Sequence, residues 1–134
     1  MLNVKADTQM LDTVQDFIHD TLEKAGIDTD IKALTQLDIA VEEIFVNIAN
    51  YAYAPDSGDA TIEADVSDGS VLTIKFIDSG KAFDPLAAED PDVTLGAEER
   101  GIGGLGIFLT KKFMDKVEYE RKNNQNILTL VKKF

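Results

Sequence analysis

The chain has 134 residues, 44% of them hydrophobic and 28% charged. That suits one globular domain spanning 1–134, large enough to bury its own core. It has no cysteine and one histidine, His19, which excludes disulfides and thiolate metal sites and argues against histidine-based metal or nucleophile chemistry. The net charge of −12 argues against nucleic acid as a direct partner.

Residues 2–6 alternate apolar and polar and predict a short strand. Asp7 or Thr8 caps a helix running to about Lys24, with Met10, Leu11, Val14, Phe17, Ile18 and Leu22 on one face and Gly26 as its stop signal. His19, near this face, reads as structural. Asp28, Thr29 and Asp30 offer caps for a second helix reaching about Ala52. Pro55 to Gly58 is a turn cluster. Residues 60–66 and 71–77 alternate around Asp68-Gly69, a hairpin signal. DSGKAFDP (78–85) follows directly. Residues 86–100 are acidic and unpatterned, as expected of a loop. The GIGGLG run (101–106) opens a third helix to about Met114. Residues 116–121 and 126–133 form a closing strand pair that turns at Asn123-Asn124. Strands grouped with helices in this order predict an α+β fold. Its architecture is a two-layer sandwich, a mostly antiparallel sheet covered on one face by three helices.

The start MLNVKADTQM lacks the basic and apolar pattern of a signal peptide, and no window approaches the ~18 apolar residues of a membrane span. A cytoplasmic location and no membrane association are therefore expected. Residues 1–100 hold 6 Lys/Arg against 22 Asp/Glu, and residues 101–134 hold 7 against 3. A locally basic end on an acidic body fits a polyanion such as a nucleotide; scattered surface charge fits as well.

The second helix carries the most informative pattern. At about 100° per residue, Leu34, Leu37, Val41, Ile44, Ile48 and Ala52 gather into a core stripe. Glu43, Asn47 and Asn50 fall within about 60° of one another on a different face, flanked by Ile39, Val46 and Ala40. The adjacent Glu42 points about 100° away, onto the solvated side with Asp38. A carboxylate and two amides in an apolar surround need partners. A ligand can provide them, and so can a neighbouring loop.

Five of the nine glycines lie between Gly96 and Gly106. Glycines at a helix start allow backbone amides to approach a phosphate, but no Gly-Lys-Ser/Thr follows as in a Walker loop. A hinge explains the same glycines. Asp78-Ser79-Gly80 ends a strand, where Asp78 serves either a turn or an exocyclic amine.

In this order, the segments EEIFVNIANYAY, FIDSGKAFDP, GGLGIFLTKKFMDKVEY and NILTLVKKF resemble the GHKL (Bergerat) ATP-binding fold of histidine kinases and gyrase-type ATPases. Within it, the chain most resembles the small anti-sigma-factor serine kinases of the RsbW/SpoIIAB type, over essentially its whole length. The resemblance implies Glu43 as general base and Asn47 as a ligand of Mg²⁺ bridging the phosphates of ATP, with Asn50 near the phosphates. It implies Asp78 on the adenine amine, with Gly80 leaving room for the base. Arg100, Gly101, Gly103, Gly104, Leu105 and Gly106 would form the lid and phosphate cradle. Two departures stand out. Ala82 occupies the second glycine position of Asp-x-Gly-x-Gly, and Gln125-Asn126 lies near where Gly-Thr often enters the last strand. The implied function is ATP-dependent phosphorylation of a serine on an anti-anti-sigma (STAS-type) partner, coupled to sequestration of a sigma factor by a homodimer. A nucleotide-gated binding module without phosphotransfer and a simple ATPase are the alternatives.

Overall fold

A computed structural model describes residues 1–87 and 104–134. The order is β1 (Leu2–Lys5), α1 (Leu11–Lys24), α2 (Ile31–Asn47), β2 (Asp59–Ser67), β3 (Val71–Asp78), α3 (Gly104–Phe113), β4 (Lys116–Lys122) and β5 (Gln125–Lys133). The five strands form one sheet ordered β1-β2-β3-β5-β4, every described pair antiparallel. With its helices this is the two-layer α+β architecture expected from the sequence. No helix among the described residues is long and apolar enough to cross a membrane.

Local chemistry accounts for the boundaries. Asp7 accepts from the Gln9 amide and starts a short 3₁₀ turn, Thr8–Met10, that leads into α1. Gly26 takes φ +72°. The amides of Gly26 and Ile27 then reach back to the carbonyls of Glu23 and Leu22 at 3.0 and 3.1 Å, closing α1 with a Schellman motif. Of the three candidate caps for α2, Asp30 does the work, its carboxylate accepting from Ala33 N at 2.6 Å. His19 Nε2 lies 2.7 Å from Asp38 Oδ1 and links α1 to α2, the structural role its surroundings predicted. Asp68 and Gly69, and then Asn123 and Asn124, adopt the positive φ that their tight turns require.

The core lies between the helices and the inward rows of the sheet. Ile62, Leu72, Ile74, Phe76 and Leu130 meet Val14, Ile18, Leu37, Val41, Ile44 and Phe45, all essentially without solvent contact. Two details of α2 differ from the expected wheel. Ala40 and Phe45 are fully buried, so the buried arc is wider than the six-residue stripe, and Ala40 belongs to the core rather than to the polar face. In addition, α2 does not run unbroken to Ala52. It ends at Asn47 and continues as a π turn, Ile48–Ala52. The i→i+5 closure of a π turn admits an extra residue per turn and is found disproportionately at functional sites. Periodicity does not distinguish it from α over five residues.

At the far end of α3, the buried Lys132 on β5 donates through Nζ to Phe113 O at 2.8 Å. It therefore holds the negative end of the helix dipole, helped by Lys111 and Lys112 in the last turn. Lys116 pairs with Glu118 at 2.7 Å. Much of the basic charge concentrated after residue 100 thus has structural work.

Candidate functional site

The polar face of α2 looks toward the first turn of α3. A Cβ added to Gly106, the third residue of α3, would strike the Glu43 carboxylate, with Glu43 Cδ at 2.8 Å. The base candidate therefore lies directly on the helix backbone, where the absence of a side chain admits it. Glu43 is half-buried and Glu42 is exposed, which matches the angular separation of the two glutamates. Burial, and secondarily the nearby Glu42 charge, pushes the Glu43 carboxyl above its ordinary value of 4.5. Asn47 is half-buried and Asn50 exposed. Among the described residues, no side-chain hydrogen bond engages Glu43, Asn47 or Asn50. No described loop pairs with the stripe.

The second half of the site is the end of β3. Asp78 is only 5% exposed and faces inward in the row of Leu72, Ile74 and Phe76. Its Oδ1 accepts from Gly80 N and from Asn126 Nδ2, each at 2.9 Å. Asn126 is its register partner on β5. The same Asn126 amide nitrogen donates to Lys81 O at 2.8 Å. Its oxygen accepts from Tyr119 Oη at 2.5 Å, Arg121 Nη1 at 3.2 Å and, more loosely, Phe83 N at 3.4 Å. Arg121 also donates to Gly80 O at 2.8 Å.

The two halves are fastened together where the π turn ends. Lys81 N donates to Ala52 O at 2.9 Å. A Cβ on Gly80 would run into that same carbonyl, its carbon being 2.6 Å away; this close approach alone calls for glycine. Tyr53 Oη donates to Asp59 O at 2.5 Å and accepts from Ser79 N at 2.8 Å, and its ring lies against Gly58, where a Cβ would strike it. Ala82 is exposed in the loop beyond.

Of the residues singled out from the sequence, Glu43 and Gly106 come together on one side, with Asn47 one turn further along α2, and Asp78 and Gly80 on the other. Gly104 and Leu105 open α3. Arg100, Gly101 and Gly103 lie outside the described residues, as does the 88–100 portion of the expected loop. Asn126, Tyr53, Tyr119 and Arg121 were not singled out as site residues. A signal for Asn126 existed: it opens an inward row that continues Leu128 and Leu130, and a polar residue in such a row calls for a buried partner.

A half-buried glutamate against a glycine-opened helix, and a buried carboxylate at a strand end of a sheet whose described pairs are all antiparallel, fit the class of GHKL-type ATPase domains. The chain belongs to the histidine kinase-like ATPase domain family, whose family model matches residues 4–132. It is 31% identical over 111 residues to the anti-sigma F factor of Thermoanaerobacter sp. (strain X514), covering 82% of this chain and 76% of that one. It is 33% identical over 92 residues to the serine-protein kinase RsbW of Listeria monocytogenes serotype 4a, covering 65% and 58%. Among solved structures, the histidine kinase domain of the Erythrobacter litoralis EL346 blue-light activated histidine kinase superposes with a TM-score of 0.59 at 14% identity, over 92% of this chain and 60% of that one. This last likeness concerns the fold alone.

Proposed function

We propose that this protein is an ATP-dependent serine/threonine protein kinase that doubles as an anti-sigma factor. It phosphorylates a serine on an anti-anti-sigma partner and, released from that partner, sequesters a sigma factor. The observation that carries the reading is the placement of Glu43 on the first turn of α3, with Asn47 one helical turn further along α2. That turn presents backbone amides and the positive end of a helix dipole to an anion, and Glu43 stands beside it with no described protein partner. The names of the relatives, anti-sigma F factor and serine-protein kinase RsbW, support the same assignment.

In the proposed reaction the partner's serine oxygen bonds to the γ-phosphorus of ATP as the bond to the β–γ bridging oxygen breaks. ADP leaves, and Glu43 accepts the hydroxyl proton. A carboxyl held above its ordinary value is a better proton acceptor at neutral pH than a freely solvated one. Asp78 accepts from the adenine amine. The donor set fits Mg²⁺ only with help from the nucleotide: among the described residues no three His, Asp or Glu side chains form a metal cluster. The Asn47 amide oxygen would be the protein ligand, phosphate oxygens and water completing the shell. The ion's contribution when bound is neutralisation of phosphate charge. Most of the catalysis would come from positioning and charge compensation.

The test is transfer of labelled γ-phosphate to a candidate STAS-type partner. The wild type should label it, and Glu43→Gln should lower the rate about 10²–10⁴-fold while ATP still binds. Undiminished transfer by Glu43→Gln would remove Glu43 as base. ATP binding with no transfer in the wild type would leave a nucleotide-gated binding module, and phosphate release indifferent to the partner would leave a simple ATPase. Pull-down with and without ATP then identifies the target, and sedimentation decides whether the protein is the expected homodimer.

A further inference from the structure

We infer that Asn126 is a positioning residue for base recognition, fixing the Asp78 carboxylate so that a single oxygen is left to read a donor on the ligand. The inference rests on the assignment of Asp78 to the adenine amine. Asp78 is buried, and its Oδ1 receives both available protein donors, Gly80 N and Asn126 Nδ2. Among the described residues, Oδ2 receives none. An ionised carboxylate offers about four lone-pair sites, and a buried acceptor without a partner is costly. An Oδ2 with no described protein partner selects a ligand that brings an N–H. A purine carrying an amine at position 6 does so. A purine carrying a carbonyl there sets lone pair against lone pair, and one carrying only hydrogen leaves the oxygen unpaired.

The amide is what makes this selection sharp, because Asn126 can sit only one way round. Its NH₂ faces two groups that solely accept, the Asp78 carboxylate and Lys81 O. Its oxygen faces Arg121, which solely donates, and the Tyr119 hydroxyl. A flipped amide would oppose oxygen to oxygen twice and nitrogen to the guanidinium once. Asp78 is thus locked by a side chain that is itself held both from β4 (Tyr119 and Arg121) and from the loop that follows β3 (Lys81 O and Phe83 N). A carboxylate released from this lock can turn to solvent or share its charge between both oxygens, and the penalty for a missing amine shrinks.

The experiment compares binding of ATP with binding of purine riboside triphosphate, which lacks only the 6-amino group, in the wild type, Asn126→Leu and Tyr119→Phe. The wild type should prefer ATP. Asn126→Leu should reduce that preference about tenfold, the worth of one well-made hydrogen bond, with affinity for the 6-hydrogen analogue held within about twofold. Tyr119→Phe removes one donor to the Asn126 oxygen and should reduce the preference about two- to threefold. Equal loss of both nucleotides in the variants would reduce Asn126 to a structural residue and overturn the inference. So would an unchanged preference in both variants. If Asn126→Leu lacks a cooperative unfolding transition, Tyr119→Phe decides by the same criterion. A wild type that binds both nucleotides equally overturns the adenine assignment of Asp78 together with the inference. A wild type that binds neither overturns the ATP reading itself.

Discussion

The two ends of the site are built on opposite plans. At the base end, Asp78 and Asn126 are buried and bonded to protein on several sides. At the phosphate end, Glu43 and Asn47 are half-buried, Asn50 is exposed, and none of the three has a described side-chain partner. The contrast follows from solvation. A buried polar group must find its partners within the protein, and in finding them it becomes rigid. A group at the surface can rely on water until a ligand arrives. On the proposed function, the end that would discriminate is fixed before binding, and the end that would perform chemistry is left for a charged ligand to complete. The glycines mirror the division: Gly80 abuts the backbone of Ala52, whereas Gly106 abuts the side-chain carboxylate of Glu43.

Those two glycines offer a direct way to break the comparison. Gly106→Ala should lower phosphotransfer about a hundredfold, the scale of a misplaced reacting group, because the new methyl displaces Glu43. Its stability should hold or rise by about 0.5–1 kcal/mol, since alanine favours a helix interior. Transfer assays and urea unfolding on the same preparation test both halves. A loss of stability without loss of transfer would reverse the expectation.

Gly80→Ala should do the opposite and cost about 1–3 kcal/mol of stability, because a peptide carbonyl cannot rotate away as a carboxylate can. The urea midpoint should fall and nucleotide affinity should fall with it. A smaller effect is expected for Tyr53→Phe, which removes the hydroxyl joining Ser79 N to Asp59 O at a cost of about 1 kcal/mol. Nucleotide binding would weaken modestly, as the loop after β3 loses one of its two described ties to the end of the π turn.

The smallest effect sharpens the phosphate end. The Glu43 carboxyl is raised above 4.5 in the folded chain, so the folded state binds more protons than the unfolded state just above that pH. The cost to stability is absent below the unfolded value, grows as pH rises through the raised one, and is complete at neutral pH. Glu43→Gln should therefore stabilise the protein at pH 7 relative to wild type and lose that advantage near pH 4. Denaturant midpoints at the two pH values give the answer. The same advantage at both would mean the carboxylate's charge carries no cost in the fold.

Pattern alone settled a good deal here. A cap among Asp28, Thr29 and Asp30, the stop at Gly26, the turns at Asp68-Gly69 and Asn123-Asn124 and the separation of Glu43 from Glu42 all depend on residues a few positions apart. Backbone sterics and helical or strand period act over that range. The π turn after Asn47, the burial of Phe45 and Ala40, the seat of Glu43 on Gly106, the approach of Gly80 to Ala52 and the Asp78–Asn126 pair belong to tertiary structure. Asn126 lies 48 positions from Asp78 along the chain, and only the β3–β5 register makes them neighbours. Period specifies which face a side chain occupies. Which distant side chain shares that face is fixed only when the sheet forms, and in this protein that is where the lock on Asp78 is made.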